Sequence, residues 1–304
     1  MLRLDEVERP CRILSERSEF IRHSKASIDA PEGVVVRKIE GQKMENALYT
    51  TTVKEIRAAA GRYGRVYFGA EFCQWRLPSP SLALRAYEAA RSAGLGFTLM
   101  TPWLTDAGLR KVGAVLAGLD AGGAKGYEVV VNDLGALSLL RGCPDAVPVL
   151  GRLLARQKRC PRVAGMIEGL PEAGREAYLH AGVDDPFTAK LLRGLGVERV
   201  ELDYPMHGLD VMLGPKRLSG SVYTPFAYVT TTRHCPASFD GEGWQAFTGC
   251  RIKGCTKNVI VLANEANGAR LLMRGNTQFV ENYALPDGLK RYGIDRVVHM
   301  EDVP

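Results

Sequence analysis

The feature of this 304-residue sequence that most constrains its fold is an alternation of short apolar segments with amphipathic segments, which begins at Asn46. Segments such as Arg65–Ala70 and Tyr127–Asn132 have the length and the β-branched or aromatic content of buried strands. The intervening segments have apolar residues at helical spacing, and one begins at Ser79-Pro80, where Ser caps and Pro occupies the first turn. About seven or eight strands separated by helices predict a parallel sheet covered by helices.

An α/β fold with a closed, TIM-barrel-like (β/α) sheet is the leading prediction for a chain of this length. An open doubly wound sheet is the alternative, and periodicity alone does not distinguish the two. Residues 1–45 are polar and irregular and are predicted to form an N-terminal arm, whereas residues 46–304 are predicted to form one barrel-like domain. The charged, glycine-rich stretch Leu153–Pro186 is predicted to be an insertion. Late predicted strands are Val197–Tyr204, Val222–Val229, Val259–Ala263, Leu271–Arg274 and Arg296–Met300.

The amino-acid composition is that expected for a soluble globular domain. Hydrophobic residues make up 46% and charged residues 24% of the chain, which is the balance of a soluble globular domain. The first residues mix both charges without an apolar run, so we expect no secretory signal, no membrane span and a cytoplasmic location. The net charge of +6 permits an anionic substrate or RNA, but a solvated surface rich in arginine is the favoured interpretation.

Seven cysteines are the strongest functional signal. In the cytoplasm thiols stay reduced, and an odd number also argues against complete disulfide pairing. Cys235, Cys250 and Cys255 are clustered late in the chain, which indicates a metal, an iron–sulfur cluster or redox chemistry. Their spacing is not that of the paired knuckles of zinc ribbons, whereas iron–sulfur sites tolerate wider spacing but normally use four ligands.

Cys73 is the best candidate for a fourth ligand. It follows the predicted strand Arg65–Ala70, and Cys235 follows a later predicted strand in the same sense. Because the loops at the carboxyl ends of barrel strands gather on one face, the two segments can meet there. Cys143 and Cys160 are rival donors, and small buried hydrophobic residues are the alternative interpretation for all of these cysteines.

Three carboxylates near the carboxyl ends of predicted strands are candidate general acids or bases. Glu71 lies two residues before Cys73, Asp133 follows one predicted strand, and Asp203 lies at the end of another. A helix N-cap is an equally good interpretation for an aspartate at such a position.

Arginines near the cysteines are candidates to bind a carboxylated substrate through bidentate hydrogen bonds. They are Arg76, which is also a catalytic candidate, Arg233 and Arg251. Surface arginine is the alternative interpretation for each. His234, beside Cys235, is a candidate to donate a hydrogen bond to a cluster or to bind metal itself.

The sequence around the cysteines and candidate carboxylates resembles that of the collagenase-like peptidase family U32 and, within it, of the UbiV/UbiU-type branch. The resemblance spans roughly Asn46 to Met300 and is thin between four anchors. Those anchors are Tyr67-Phe-Gly-Ala-Glu-Phe-Cys73, which resembles a strand-Gly-Glu-x-x-Cys segment, Val130-Val-Asn-Asp133-Leu-Gly, the step Arg233-His-Cys235, and the closing cysteines Cys250 and Cys255.

The resemblance implies a barrel-like fold with a [4Fe-4S] cluster bound by Cys73, Cys235, Cys250 and Cys255. It further implies a heterodimer with a sister protein of the same family that hydroxylates a small aromatic substrate in ubiquinone biosynthesis without molecular oxygen, with prephenate as the possible oxygen donor. Two alternatives stay open: an enzyme that hydroxylates RNA bases with the same cluster, and a non-catalytic partner subunit stapled by metal. No peptidase dyad or triad is visible, and the Cys250–Cys255 spacing is wider than the family's pair.

Overall fold

Eight apolar segments form the parallel strands of a closed barrel in the computed structural model, which describes residues 44–233, 235–236, 250, 255, 259–263 and 269–304. This confirms the predicted TIM-barrel-like fold over the open sheet. Each strand pairs with the next one around the ring, and the last strand closes the ring between the first and the seventh. The barrel strands are β1 (Glu45–Thr50), β2 (Arg65–Gly69), β3 (Gly96–Met100), β4 (Tyr127–Val131), β5 (Ala146–Leu150), β6 (Arg199–Asp203), β7 (Ser219–Thr224) and β12 (Ile294–Met300).

Helices cover the outside of the barrel and begin at side-chain caps. Ser79 accepts a hydrogen bond from the backbone N–H of Leu82, and Thr105 accepts one from Gly108, which satisfies backbone donors that a first helical turn leaves unpaired. A short 3₁₀ turn, Gln74–Arg76, follows Cys73 before the next helix, and two more, Pro161–Gly165 and Ile167–Gly169, lie in the predicted insertion. The helices are α1 (Val53–Ala58), α2 (Pro80–Ser92), α3 (Asp106–Ala121), α4 (Leu134–Leu139), α5 (Glu172–Leu179) and α6 (Pro186–Gly194).

A second sheet lies in the chain between the seventh and eighth barrel strands. The predicted strand Val222–Val229 is wrong as one element, because Pro225 has no N–H for a ladder and the chain leaves the barrel there. The four strands of the second sheet are antiparallel, and one of them, Thr277–Glu281, was not predicted. They are β8 (Phe226–Thr231), β9 (Ile260–Leu262), β10 (Leu271–Arg274) and β11 (Thr277–Glu281), in the order β8-β11-β10-β9.

The barrel interior has an apolar middle and polar ends. At the amino end, Arg296 donates hydrogen bonds to Glu128 at 2.7 and 3.0 Å and to the hydroxyl of Tyr67 at 2.7 Å. The hydroxyl of Tyr67 in turn bonds the fully buried Glu201. Side chains of the middle layer pack against one another and include Tyr49, Met100, Val130, Val149, Tyr223 and Val298.

The described part of the chain begins at Met44, so the predicted arm at residues 1–45 lies almost wholly outside it and stays a prediction. Among the described residues, every helix is too short or too polar to cross a bilayer.

Candidate functional site

A cavity beside the carboxyl ends of the barrel strands brings together the four cysteines on which the sequence prediction depends. Cys73 comes from the loop after β2, and Cys235, Cys250 and Cys255 come from the region between β8 and β9. The other lining residues come from the same loop, from the loop after β3, from the end of β8 and the residues after it, from the β10–β11 hairpin, and from the segment after β12. They are Phe72, Gln74, Trp75, Arg76, Trp103, Thr105, Thr231, Thr232, Arg233, Arg274, Gly275, Asn276, Thr277 and Pro304.

Gly69 directs the chain from β2 to Cys73. Its φ of +127° favours glycine, and a Cβ at this position would lie 2.8 Å from the carbonyl oxygen of Met100. The loop is also held from the second sheet, because the side-chain amide of Asn276 donates hydrogen bonds to the carbonyl oxygens of Phe72, at 2.8 Å, and Thr232, at 2.7 Å. The loop after β2 and the end of β8 are therefore tied together across the cavity.

The thiol of Cys73 is partly buried and electrostatically coupled to its surroundings. Burial raises its pKa above the usual range, and the nearby thiol of Cys250 raises it further. Backbone N–H groups of Trp75 and Arg76 and the charge of Arg76 act in the opposite direction and favour the thiolate. A positively charged metal bound to this sulfur would also lower the pKa of the thiol, because metals bind the deprotonated form.

The side chains of the cavity that could bind a metal are thiols, which are soft ligands. The described lining residues include four thiols and no carboxylate or imidazole side chain, a set that suits zinc or an iron–sulfur cluster and not magnesium or calcium. In this structure the thiols share the cavity, but no three Cys, His, Asp or Glu side chains among the described residues are placed to bind a single ion. His234 and Arg251 lie outside the described residues.

The rival cysteines do not line this cavity. Cys143 lies between α4 and β5, near the amino end of β5, and Cys160 precedes the turn Pro161–Gly165. Both have free thiols and are only partly buried. Cys11 lies outside the described residues.

Arginines give the cavity a positive wall. Arg233 packs over the indole of Trp103, with 4.9 Å from its guanidinium carbon to the ring centroid, and donates a hydrogen bond to the carbonyl oxygen of Leu104 at 3.2 Å. Neither Arg76 nor Arg233 forms an ion pair within the part of the chain that the structure describes. Both can therefore offer charge-assisted hydrogen bonds to an anionic ligand.

Arg274 is a third arginine of the cavity, and the sequence prediction missed it. Its terminal nitrogens bond both carboxylate oxygens of Asp302 at 2.9 and 3.0 Å, whereas its buried Nε has no hydrogen-bond partner among the described residues. Its position at the end of a predicted strand, Leu271–Arg274, is the signal that could have identified it.

Glu71 and Asp203 lie beneath the cavity in a buried charge cluster with Arg152 and Arg159. Arg152 Nε and Nη2 donate to the two carboxylate oxygens of Glu71 at 3.0 and 2.5 Å, and Nη1 donates to Asp203 Oδ1 at 2.8 Å. Arg159 Nε donates to Asp203 Oδ2 at 2.6 Å. Burial raises the pKa of Glu71, and Arg152 opposes that rise. These contacts occupy two of the three carboxylates that the sequence predicted as candidate general acids or bases.

Asp133 is a helix N-cap, the second of its two sequence interpretations. Its Oδ1 accepts a hydrogen bond from the backbone N–H of Gly135 at 2.8 Å, and its Oδ2 accepts one from the N–H of Leu104 at 3.3 Å. Asp133 therefore begins α4 and fixes the loop after β3, and it is not among the described lining residues of the cavity.

Comparisons with known proteins give weak similarities. No family model matches the sequence, and no curated protein matches it. Among solved structures, the chain is similar to the U32 peptidase Mk0906, with a TM-score of 0.43 and 10% sequence identity over 92% of this chain and 99% of that one. It is also similar to a putative dehydratase from Mesorhizobium loti (TM-score 0.34, 12% identity, 59% and 47% of the two chains) and to an immunomodulatory chitinase from Trichuris suis (TM-score 0.33, 11% identity, 84% and 91%).

Proposed function

We propose that this chain is an iron–sulfur protein of the U32 peptidase-like family, of the UbiV/UbiU-type branch, with a [4Fe-4S] cluster bound by Cys73, Cys235, Cys250 and Cys255. The observation that supports the proposal is that four thiols from segments distant in sequence line one cavity. Four thiolates are the usual ligand set of such a cluster. A thiolate-bound cluster is anionic, and the arginines of the cavity provide charge of the opposite sign.

The activity that we propose is oxygen-independent hydroxylation of a small aromatic substrate of the ubiquinone-biosynthesis type, in the cytoplasm, with prephenate as the oxygen donor and a sister protein of the same family as partner. When bound, the cluster supplies the redox chemistry, and the chain supplies access and orientation. Arg76 and Arg233 would bind carboxylates of the reactants, and the indoles of Trp75 and Trp103 would pack against apolar rings at the cavity wall.

Glu71 and Asp203 are assigned a structural part in this proposal. Each carboxylate accepts at least two hydrogen bonds from buried donors, which fix its position. A general acid must reach the substrate, and neither residue is among the described residues that line the cavity.

A structural zinc site is the second candidate, because the cavity joins two parts of the fold. Cys73 belongs to a barrel loop, whereas the other three cysteines belong to the region that connects strands of the second sheet. A closed tetrahedral site of four thiolates would tie these parts together without any catalysis.

Metal analysis of single cysteine variants tests the proposal. The full chain and its Cys73→Ser, Cys235→Ser, Cys250→Ser, Cys255→Ser and Cys143→Ser variants are purified without air and analysed for iron, zinc and acid-labile sulfide. We expect iron and sulfide in about equal amounts, a loss of both in the four cavity variants, and no change in the Cys143 control. Zinc without sulfide would support the structural site, and an unchanged iron content in Cys73→Ser would reject the ligand set.

A further inference from the structure

Arg152 connects the loop that carries Cys73 to the rest of the barrel mouth. It lies two residues after β5, its side chain is fully buried, and two of its nitrogens donate to both oxygens of Glu71. Glu71 precedes Cys73 by two residues in a loop without regular structure until Gln74. This bidentate contact therefore fixes the chain just before the cysteine in both position and direction.

The same guanidinium also holds the strand that leads to Cys235. Its Nη1 donates to the carbonyl oxygen of Phe226, the first residue of β8, at 3.3 Å, and to Asp203 Oδ1 at 2.8 Å. Asp203 Oδ1 in turn accepts a hydrogen bond from the backbone N–H of Tyr228 at 3.2 Å. The Arg152 side chain therefore holds the start of β8 in two ways: directly, through the carbonyl oxygen of Phe226, and indirectly, through Asp203.

Aromatic rings pack against this guanidinium. Its central carbon lies 3.7 Å from the ring centroid of Tyr223 and 5.4 Å from that of Phe72, which lies between Glu71 and Cys73 and lines the cavity. A planar fork stacked on a ring is a geometry that arginine provides and lysine does not. The carbonyl oxygen of Arg152 accepts a hydrogen bond from Arg159 at 2.7 Å, which holds the backbone as well.

We infer that Arg152 is a positioning residue for the cysteine site: by bonding Glu71 and the start of β8 at once, it sets the separation between Cys73 and Cys235. It is not among the described residues of the cavity wall, so it acts through these two segments. The functional meaning of that separation rests on the proposed cluster. The separation itself is a property of the folded, metal-free chain.

Cross-linking of the two thiols tests this inference without any metal. In the full chain, Cys11, Cys143, Cys160, Cys250 and Cys255 are replaced by Ser, and the rate at which bis-methanethiosulfonates of increasing length join Cys73 to Cys235 is measured. Introducing Arg152→Lys keeps the buried charge but removes the fork. We expect the rate with the shortest effective reagent to change by about tenfold or more, because intramolecular reactions depend steeply on geometry. The exposed Arg62→Lys is the matched control and leaves the rate unchanged.

A purely structural role predicts a different result. If Arg152→Lys lowers the midpoint of thermal unfolding while the cross-linking rate of the folded protein and its dependence on reagent length stay the same, the inference is wrong. If Arg152→Lys does not fold, Glu71→Gln takes its place in the experiment, because this variant leaves the contact between Arg152 and Asp203 intact. A changed cross-linking rate again supports the inference, and an unchanged rate again contradicts it. Iron analysis of a separate chain that keeps Cys73, Cys235, Cys250 and Cys255 distinguishes the inference from the proposed function. If that chain binds no iron while Arg152→Lys changes the cross-linking rate of the two-cysteine chain, the inference stands and the proposed function is rejected.

Discussion

The hydroxyl of Tyr67 donates a hydrogen bond to Oε1 of Glu201 at 2.9 Å inside the barrel. Both residues are fully buried, and Oε2 of Glu201 has no hydrogen-bond partner among the described residues. Burial raises the pKa of Glu201 to about 7, whereas Arg296 and Arg199 act to lower it. The carboxyl group therefore gains or loses its proton near neutral pH, far above its ordinary range.

This relationship predicts a pH-dependent stability. The folded chain binds the proton of Glu201 more tightly than the unfolded chain, so the stabilisation is complete below about pH 4.5 and is lost as the pH rises to about 7, a change of about 3 kcal/mol. Glu201→Gln keeps an acceptor for Tyr67 and carries no charge. We expect urea unfolding to show a variant that is more stable than the unmodified protein at pH 8, by up to about 3 kcal/mol, with the difference shrinking toward pH 5.

The matched control for that experiment is Glu301→Gln, because Glu301 forms an exposed pair with Arg62. This control should leave the unfolding free energy nearly unchanged at both pH values. A difference between Glu201→Gln and the unmodified protein that is the same at pH 5 and pH 8 would contradict the assignment.

The buried cluster around Arg152 predicts a large loss of stability when the charge is removed. Arg152→Met leaves Glu71 and Asp203 buried without their main partner, which should cost about 3–5 kcal/mol in the free energy of unfolding. Arg62→Met removes an exposed ion pair and should cost less than about 1 kcal/mol. Equal losses in chemical denaturation would show that the buried pairs contribute no more than a surface contact.

The N-cap at Asp133 predicts that its oxygen, and not its charge or acidity, is what the protein needs. Asp133→Ala should lower the unfolding free energy by about 1 kcal/mol, whereas Asp133→Asn keeps an acceptor for Gly135 and should lose only a few tenths. Thermal unfolding of the two variants measures this difference. A loss of about 1 kcal/mol in Asp133→Asn as well would contradict this assignment.

Local periodicity was sufficient to predict most of the barrel. Strands such as Arg65–Gly69 and Tyr127–Val131 are continuous apolar segments between turn residues, and the cap at Ser79 marks a helix from the sequence alone. The placement of Cys73 in a loop at a carboxyl strand end also follows from this local pattern. The rule that such loops gather on one face then anticipates its presence in the shared cavity.

Contacts between residues that are distant in sequence could not be predicted from local periodicity. Val222–Val229 is apolar on both sides of Pro225, so its periodicity gives no sign that one half belongs to barrel strand β7 and the other starts a second sheet. Arg152 directly precedes the stretch Leu153–Pro186, which was interpreted as an insertion, and its partner Glu71 lies 81 residues earlier. Only the folded chain shows that the charge of Arg152 is buried and that two of the three candidate carboxylates are its partners.

The visible absorption spectrum of the full chain purified without air tests the central claim most directly. We predict a brown protein with broad sulfur-to-iron charge-transfer absorption that bleaches on exposure to air, and a Cys73→Ser variant that lacks this absorption. A colourless protein after air-free purification and anaerobic reconstitution with iron and sulfide, with its four cavity thiols still freely reactive, would contradict the claim that these cysteines bind an iron–sulfur cluster.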